Sequence, residues 1–298
     1  MFRTINLAPL KYLYINDCYG GPISNFMSKP KYIRPGEMGF EAYVQIRSDL
    51  LPKSDDCRIY GNFTGTGSHK KRYLAHYKAI SEALERWAAH EYSKMPDYGF
   101  DVEPSSTGVA AYPSMFPIMA RRIAFFEAVE RWSLISWWHG NLKATQITDG
   151  LRGVEGLEIL TPWSNESSTV ILYTKCGKNF RMAYGFASHT DRISAIKKAE
   201  IELYRNMYLL NEISLENVPD LKNKNERRLL FFSSEEGQLH FAELVKKSYS
   251  VRNSANVPKL IVDRELEGPW SKYCFVWRIL FENANNSHLS NDIDQFYF

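Results

Sequence analysis

No stretch of about 18 uncharged apolar residues, the length a bilayer-crossing helix needs, occurs in this chain. The most apolar segment, residues 123–138, carries Glu127, Glu130 and Arg131 in its middle. The opening MFRTINLAPLKYLY has no apolar core followed by a small-residue cleavage site, so no export signal is read there. Cysteine is scarce: Cys18, Cys57, Cys176 and Cys274 stand far apart without a C-x-x-C or a His/Cys cluster. That spacing weighs against a zinc site and against a disulfide framework, and isolated thiols point to the cytoplasm. Charge of one sign is also missing, since 37 basic and 34 acidic residues leave only +3. So small a surplus gives no support to nucleic-acid or membrane binding. Neither G-x-x-x-x-G-K-[ST] nor G-x-S-x-G occurs, which leaves a P-loop and a serine-hydrolase nucleophile without support.

What the chain does have is an ordinary globular composition over 298 residues, 44% hydrophobic and 24% charged. A chain of this length buries roughly 75% of its unfolded surface and needs no metal or disulfide staple. Strand-like and helix-like patterns alternate, which predicts an α/β class of the α+β type. Residues 41–46 (EAYVQI), 168–173 (STVILY), 180–187 (FRMAYGFA), 259–263 and 273–281 read as strands, with 175–179 as a hairpin turn. Residues 75–92, 117–138 and 191–212 carry apolar residues at helical spacing and read as three helices. The glycine-rich 61–68 (GNFTGTGS) reads as a turn, 104–111 as a loop, and 222–228 (KNKNERR) as a solvated, loop-prone stretch. Trp132, Trp137 and Trp138 read as core.

One feature rises above this background. Glu82-Ala83-Leu84-Glu85-Arg86-Trp87 on the first helix recurs 45 positions later, on the second, as Glu127-Ala128-Val129-Glu130-Arg131-Trp132. Residues three apart on a helix share a face, so each helix presents two carboxylates together. A single E-x-x-E-R is the pattern of a surface salt bridge. Repetition between apolar and aromatic neighbours argues instead for partly buried carboxylates, which need cations. Carboxylates without His or Cys favour hard ions such as Mg²⁺, which is commonly shared with substrate phosphates. Arg86 and Arg131 could complement a phosphate. The third helix adds Glu200, Glu202 and Arg205. The pattern therefore predicts that the helices pack their glutamates around Mg²⁺ and a polyphosphate.

With these residues in view the chain resembles the YcaO family over about residues 65–207. The likeness rests on Ala75-x-x-Lys78-Ala79-x-x-Glu82-x-x-Glu85-Arg86, on Ser106-Thr107-Gly108-Val109-Ala110-Ala111 followed by Glu127-x-x-Glu130-Arg131, and on Ala195-x-x-x-Ala199-x-x-Glu202-x-x-x-Asn206. The resemblance implies one YcaO-like domain over 1–298, with mixed sheets and three main helices bearing the glutamate motifs. It implies ATP and Mg²⁺ as cofactors, with Glu82, Glu127 and Glu130 as metal ligands. Lys78, Glu85, Arg86, Arg131, Glu202 and Asn206 would be nucleotide or phosphate contacts; no residue is assigned as a general acid, base or nucleophile.

Family enzymes phosphorylate a peptide amide oxygen so that Cys, Ser, Thr, sulfide or an amine attacks the activated carbon, giving azolines, thioamides or amidines. The resemblance thus implies maturation of a ribosomally made peptide. A separate leader-peptide-binding, E1-like or TfuA-like partner is expected, because no extra domain fits before Gly61; self-association is left open. The chain departs from the family pattern at Lys78, where the first motif has Ser, and at Pro117 or Met119, where a further metal-binding Glu is usual. Asn206 replaces Gln, and the closing Asp294-Gln295-Phe296-Tyr297-Phe298 is not proline-rich. These departures keep open a second expectation, a catalytically degenerate scaffold or peptide-binding subunit of a modification complex.

Overall fold

The computed structural model describes residues 5–51, 64–148, 151, 153–177, 181–212, 221–252 and 256–296. Cys57, the start of the glycine-rich segment at 61–63 and the tip of the expected hairpin at 178–180 lie outside them. The helices are α1 (Ala8–Lys11), α2 (Arg72–Tyr92), α3 (Ile118–Trp138), α4 (Arg192–Glu212), α5 (Lys224–Ser233) and α6 (Glu235–Ser248). The strands are β1 (Ile23–Arg34), β2 (Glu37–Ile46), β3 (Gly65–His69), β4 (Val109–Tyr112), β5 (Ala144–Ile147), β6 (Glu155–Ile159), β7 (Ser168–Cys176), β8 (Arg181–His189), β9 (Leu260–Glu265) and β10 (Phe275–Phe281). Strands and helices are mixed throughout and every sheet is antiparallel, the α+β class expected from the sequence.

The chain divides into two compact units, each assembled from separated segments. The first comprises Met1–Ser54, Asn62–Ala128 and Lys259–Glu282. It holds two three-stranded sheets, β1-β2-β3 and β4-β10-β9, and α2. Its α2 buries Ala75, Ala79, Ile80, Ala83, Leu84 and Trp87, the stripe that the 3.6-residue period predicted. The second unit comprises Asp55–Gly61, Val129–Pro258 and Asn283–Phe298. In it the sheet β5-β6-β7-β8 packs against α4, which buries Ala195, Ala199, Leu203 and Leu210. Trp132, Trp137 and Trp138 are buried there as expected. α3 begins in the first unit and ends in the second.

Three expectations are overturned, the first being that 104–111 is all loop, since Val109–Tyr112 form β4, paired with β10. The glycine-rich segment is not a turn over 65–69 but strand β3, paired along β2 from Val44↔Gly65 to Phe40↔His69. Its glycines serve close approach to a helix: a Cβ on Gly65 would stand 2.1 Å from the Ala79 carbonyl oxygen, and one on Gly67 2.3 Å from that of Ala75. Nor is 222–228 solvated loop, because it opens α5. The Asn223 side chain accepts the Asn225 and Glu226 backbone N–H groups as an N-cap. Arg228 is buried, and its guanidinium donates to the carbonyls of His288, Ser290 and Asp292. The polar composition hid a helix whose charges are consumed internally. α6 was not read from the sequence, and the 12-residue β1 was covered only by a general reading of the first seventy residues as strands and loops.

Substituting Gly65→Ala is expected to lower unfolding free energy by about 2 to 3 kcal/mol, because the added methyl meets helix backbone that cannot swing aside. Urea titration of the two proteins measures it.

Candidate functional site

In the first unit α2 and α3 bring Glu82, Glu85 and Glu127 within electrostatic reach of one another. The Glu82 carboxylate is held on both oxygens. One accepts the Thr66 backbone N–H at 2.7 Å and the Thr66 hydroxyl at 2.9 Å; the other accepts Arg86 Nη2 at 2.6 Å, one helical turn away. Thr66 lies on β3, so the strand edge fixes the carboxylate. Burial pushes the Glu85 carboxyl well above its ordinary pKa, and the charges of Glu127 and Glu82 push it further. Arg86 and a hydrogen bond from the Ala111 backbone oppose that shift without cancelling it. Lys78, one turn before Glu82, donates from Nζ to the Ser68 carbonyl at 3.1 Å.

The loop that enters β4 is fixed from beneath by a buried cation. Arg278 on β10 donates to the carbonyls of Tyr98, Glu103, Ser105 and Thr107 at 2.9 to 3.1 Å. Burial lowers its pKa to about 10, while the charges of Glu103 and Glu127 work the other way. Expected as an ordinary loop, residues 105–108 are thus rigidly placed.

The second unit holds the other predicted residues. Glu130 on α3 accepts the Ser188 backbone N–H of β8 at 2.7 Å. Glu202 on α4 accepts the Phe186 N–H of the same strand at 3.1 Å. Burial raises Glu130 to about 7, against the nearby positive charges of Lys198 and Arg131 and the Ser188 hydrogen bond. Glu202 rises to about 8, through burial and the charge of Glu130. Arg131 is half-buried beside Glu130. Asn206, read from the sequence as a nucleotide contact, is buried and donates its amide to the Tyr184 carbonyl at 2.8 Å. Pro117 and Met119, the two positions where the resemblance leads one to expect a further glutamate, are both half-buried, just before α3 and in its first turn.

Each unit therefore holds a glutamate that accepts a strand N–H and at least one glutamate whose carboxyl burial pushes up. Oxygen-only donors of this kind suit a hard cation. Among the described residues no three or more Asp, Glu, His or Cys side chains are grouped so as to hold a metal by themselves. That does not exclude Mg²⁺, which keeps most of its waters and takes one or two carboxylates together with phosphate oxygens.

Sequence reasoning missed Thr66, Phe186 and Ser188, because the groups that matter there are backbone N–H donors. It also missed Lys198. A signal existed: the pattern G-x-x-S-H-x-x-R-x-x-A-x-x-K-A-x-x-E starts at Gly65 and again, without a gap, 120 residues later at Gly185.

No protein-family model matches the sequence, and no curated protein matches it. Solved structures do. The structure of YcaO from Methanopyrus kandleri bound with AMPPCP and Mg²⁺ aligns over 90% of this chain and 88% of its own, with a TM-score of 0.54 and 15% identity. A heterocyclase in complex with substrate and cofactor aligns over 92% of this chain, with a TM-score of 0.57 and 12% identity. This chain spans 51% of that heterocyclase. At such identities the likeness is one of fold. No helix among the described residues is long and apolar enough to cross a membrane.

The raised carboxyls make stability depend on pH in a defined direction. Between the ordinary value of 4.5 and about 8, the unfolded chain has released protons that folded Glu130 and Glu202 still hold. Stability therefore falls as pH rises through that window, by on the order of 2 to 4 kcal/mol without ligand. Thermal melts from pH 5 to 8.5 should show a declining Tm for the wild type and a shallower decline for Glu202→Gln.

Proposed function

From a chain with the YcaO fold, we propose that it binds Mg²⁺ and ATP and uses the γ-phosphoryl group to activate a backbone amide of a ribosomally made peptide. The observation that carries this reading is the set of half-buried, strand-clasped glutamates, two of which, Glu130 and Glu202, burial pushes up, on a fold shared with a nucleotide-bound YcaO. The shared fold over most of both chains supports treating residues 1–298 as one YcaO-like domain.

In this proposal Glu82 and Glu127 in the first unit, and Glu130 in the second, are each metal ligands that offer carboxylate oxygens to Mg²⁺ ions. Glu85, Glu202, Arg86, Arg131, Lys78 and Asn206 are the proposed nucleotide or phosphate contacts of their respective units, the first two tuning charge and the cations meeting phosphate oxygens. Arg86 is exposed at one end of its pair with Glu82, so turning to a phosphate costs little. The bound ion would neutralise charge on the triphosphate. A clasped carboxylate has one oxygen fixed by the strand and is already oriented, so ligand binding orders few side chains.

The peptide amide oxygen attacks the γ-phosphorus and ADP departs. A Cys, Ser or Thr side chain, sulfide or an amine then adds to the activated carbon, and phosphate leaves. Positioning and charge neutralisation supply most of the rate, as is usual in phosphoryl transfer. Presentation of the peptide is assigned to a separate partner protein. Pro117 or Met119, in place of the family's further glutamate, favours a second reading, in which the chain is a degenerate scaffold or peptide-binding subunit.

Calorimetry separates these readings. The wild type should bind ATP in the presence of Mg²⁺ and much less in its absence. The double variant Glu127→Gln with Glu130→Gln should lose at least about 10-fold in affinity, the scale of two lost charged contacts. Absence of nucleotide binding by the wild type would exclude the enzyme reading. Peptide-stimulated ADP release distinguishes catalysis from mere binding.

A further inference from the structure

β1 is the edge of the sheet β1-β2-β3 and pairs antiparallel to β2, from Ile23↔Ile46 to Arg34↔Glu37. Among the described residues no strand lies along its other side. From Ser24 to Tyr32 no residue of β1 is buried, and exposed positions occur on both faces of the strand: Ser24, Pro30 and Tyr32 on one, Asn25, Met27 and Lys29 on the other. Such an edge presents backbone N–H and C=O groups without ladder partners, the template on which another extended chain adds.

Positive charge gathers along this edge. Residues 23–34 (ISNFMSKPKYIR) carry Lys29, Lys31 and Arg34 and no acid, and residues 69–72 (HKKR), at the junction of β3 and α2, add Lys70, Lys71 and Arg72. The two runs meet: Arg72 Nε donates to the Ser28 hydroxyl of β1 at 2.8 Å, and Lys70 Nζ lies 3.3 Å from the Glu37 carboxylate, which also pairs with Arg34. Glu41 takes Lys31 at 2.6 Å. Six cations thus share two acids, although the whole chain has 37 bases to 34 acids. Lys29, Lys71 and Arg72 are exposed. Lys29 stands on one face of β1, and Arg72 lies over Ser28 on the other.

The charge decides what the edge accepts. A second copy of the chain would bring lysine against lysine, and like charges facing each other across paired strands repel. Lys29-Pro30-Lys31 at mid-strand is the device by which edges avoid their own kind. A strand of opposite sign meets attraction there instead. Nucleic acid fits less well, because it does not extend a sheet and the chain's surplus is only +3. We propose that β1 takes up an extended acidic segment of a different polypeptide as an added strand, with carboxylates against Lys29 on one face and Arg72 on the other. The proposal is independent of the nucleotide-binding reading, since it concerns a sheet edge rather than the glutamate helices.

Fluorescence anisotropy of labelled peptides, without nucleotide, tests it. A peptide of alternating Glu and Thr, as long as residues 24–32, should bind the wild type, and its Lys-Thr counterpart should not. Raising the salt from about 50 to about 300 mM should weaken binding several-fold. Lys29→Glu with Arg72→Glu should cost at least about 10-fold in affinity, while the charge-keeping Lys29→Arg with Arg72→Lys stays within about 3-fold of wild type. Lys246→Glu with Lys247→Glu makes the same change of net charge on exposed residues of α6 and should match the wild type. Amide hydrogen exchange in β1 should slow when the Glu-Thr peptide is bound, and that in β5 should not. The proposal is overturned if the Glu-Thr peptide does not bind, if the two Glu double variants lose equally, or if β1 amides exchange unchanged with the peptide bound. An oligothymidylate that binds as tightly and competes with the peptide would make the surface a general polyanion site and overturn it as well. Self-association of the wild type that Lys29→Glu abolishes would assign the edge to a second copy instead.

Discussion

A helix carboxylate accepting the N–H of a strand edge is the contact around which both halves of this molecule are arranged. Glu82 does so with Thr66, Glu202 with Phe186 and Glu130 with Ser188. The contact solves two problems together. A strand at the edge of a sheet has backbone donors with no ladder partner, and a partly buried carboxylate needs donors. Satisfying each with the other requires helix and strand to lie in near contact. That requirement explains glycine at 65, 67 and 185 and alanine on the facing helices.

The same contact leaves an electrostatic imbalance. One amide hydrogen bond does not offset the burial of a carboxylate whose neighbour is another carboxylate, so Glu85, Glu130 and Glu202 hold their protons more tightly than exposed glutamates do. Elsewhere buried charge meets many hydrogen-bond acceptors: Arg278 and Arg228 each spend their guanidinium donors on loop carbonyls. Burial of neighbouring carboxylates on the glutamate helices is a common mark of a site that takes a cation.

Much of this was legible beforehand. Helical periodicity gave the three glutamate helices to within three residues at either end, because α2 and α4 each bury a single apolar stripe. The repeated E-x-x-E-R singled out Glu82, Glu85, Glu127 and Glu130. Composition misled where local polarity stood in for exposure, as in α5, whose Glu226 and Arg228 are buried. Glycine misled where it signalled close packing rather than a turn, as in β3. No side-chain pattern could reveal that backbone N–H groups of Thr66, Phe186 and Ser188 are the partners of the acids.

The order of residues alone determined which helices carry acids, on which face, and with which cations one turn away, since a 3.6-residue period maps spacing directly onto a face. Tertiary structure decided what those acids do at neutral pH. Proximity of Glu85 to Glu127 and of Glu202 to Glu130 is a distance across separate helices, and the carboxyl pKa values follow from that distance and from burial. Tertiary structure also showed that the strand before α2 and the strand before α4 hold their glutamates in the same way.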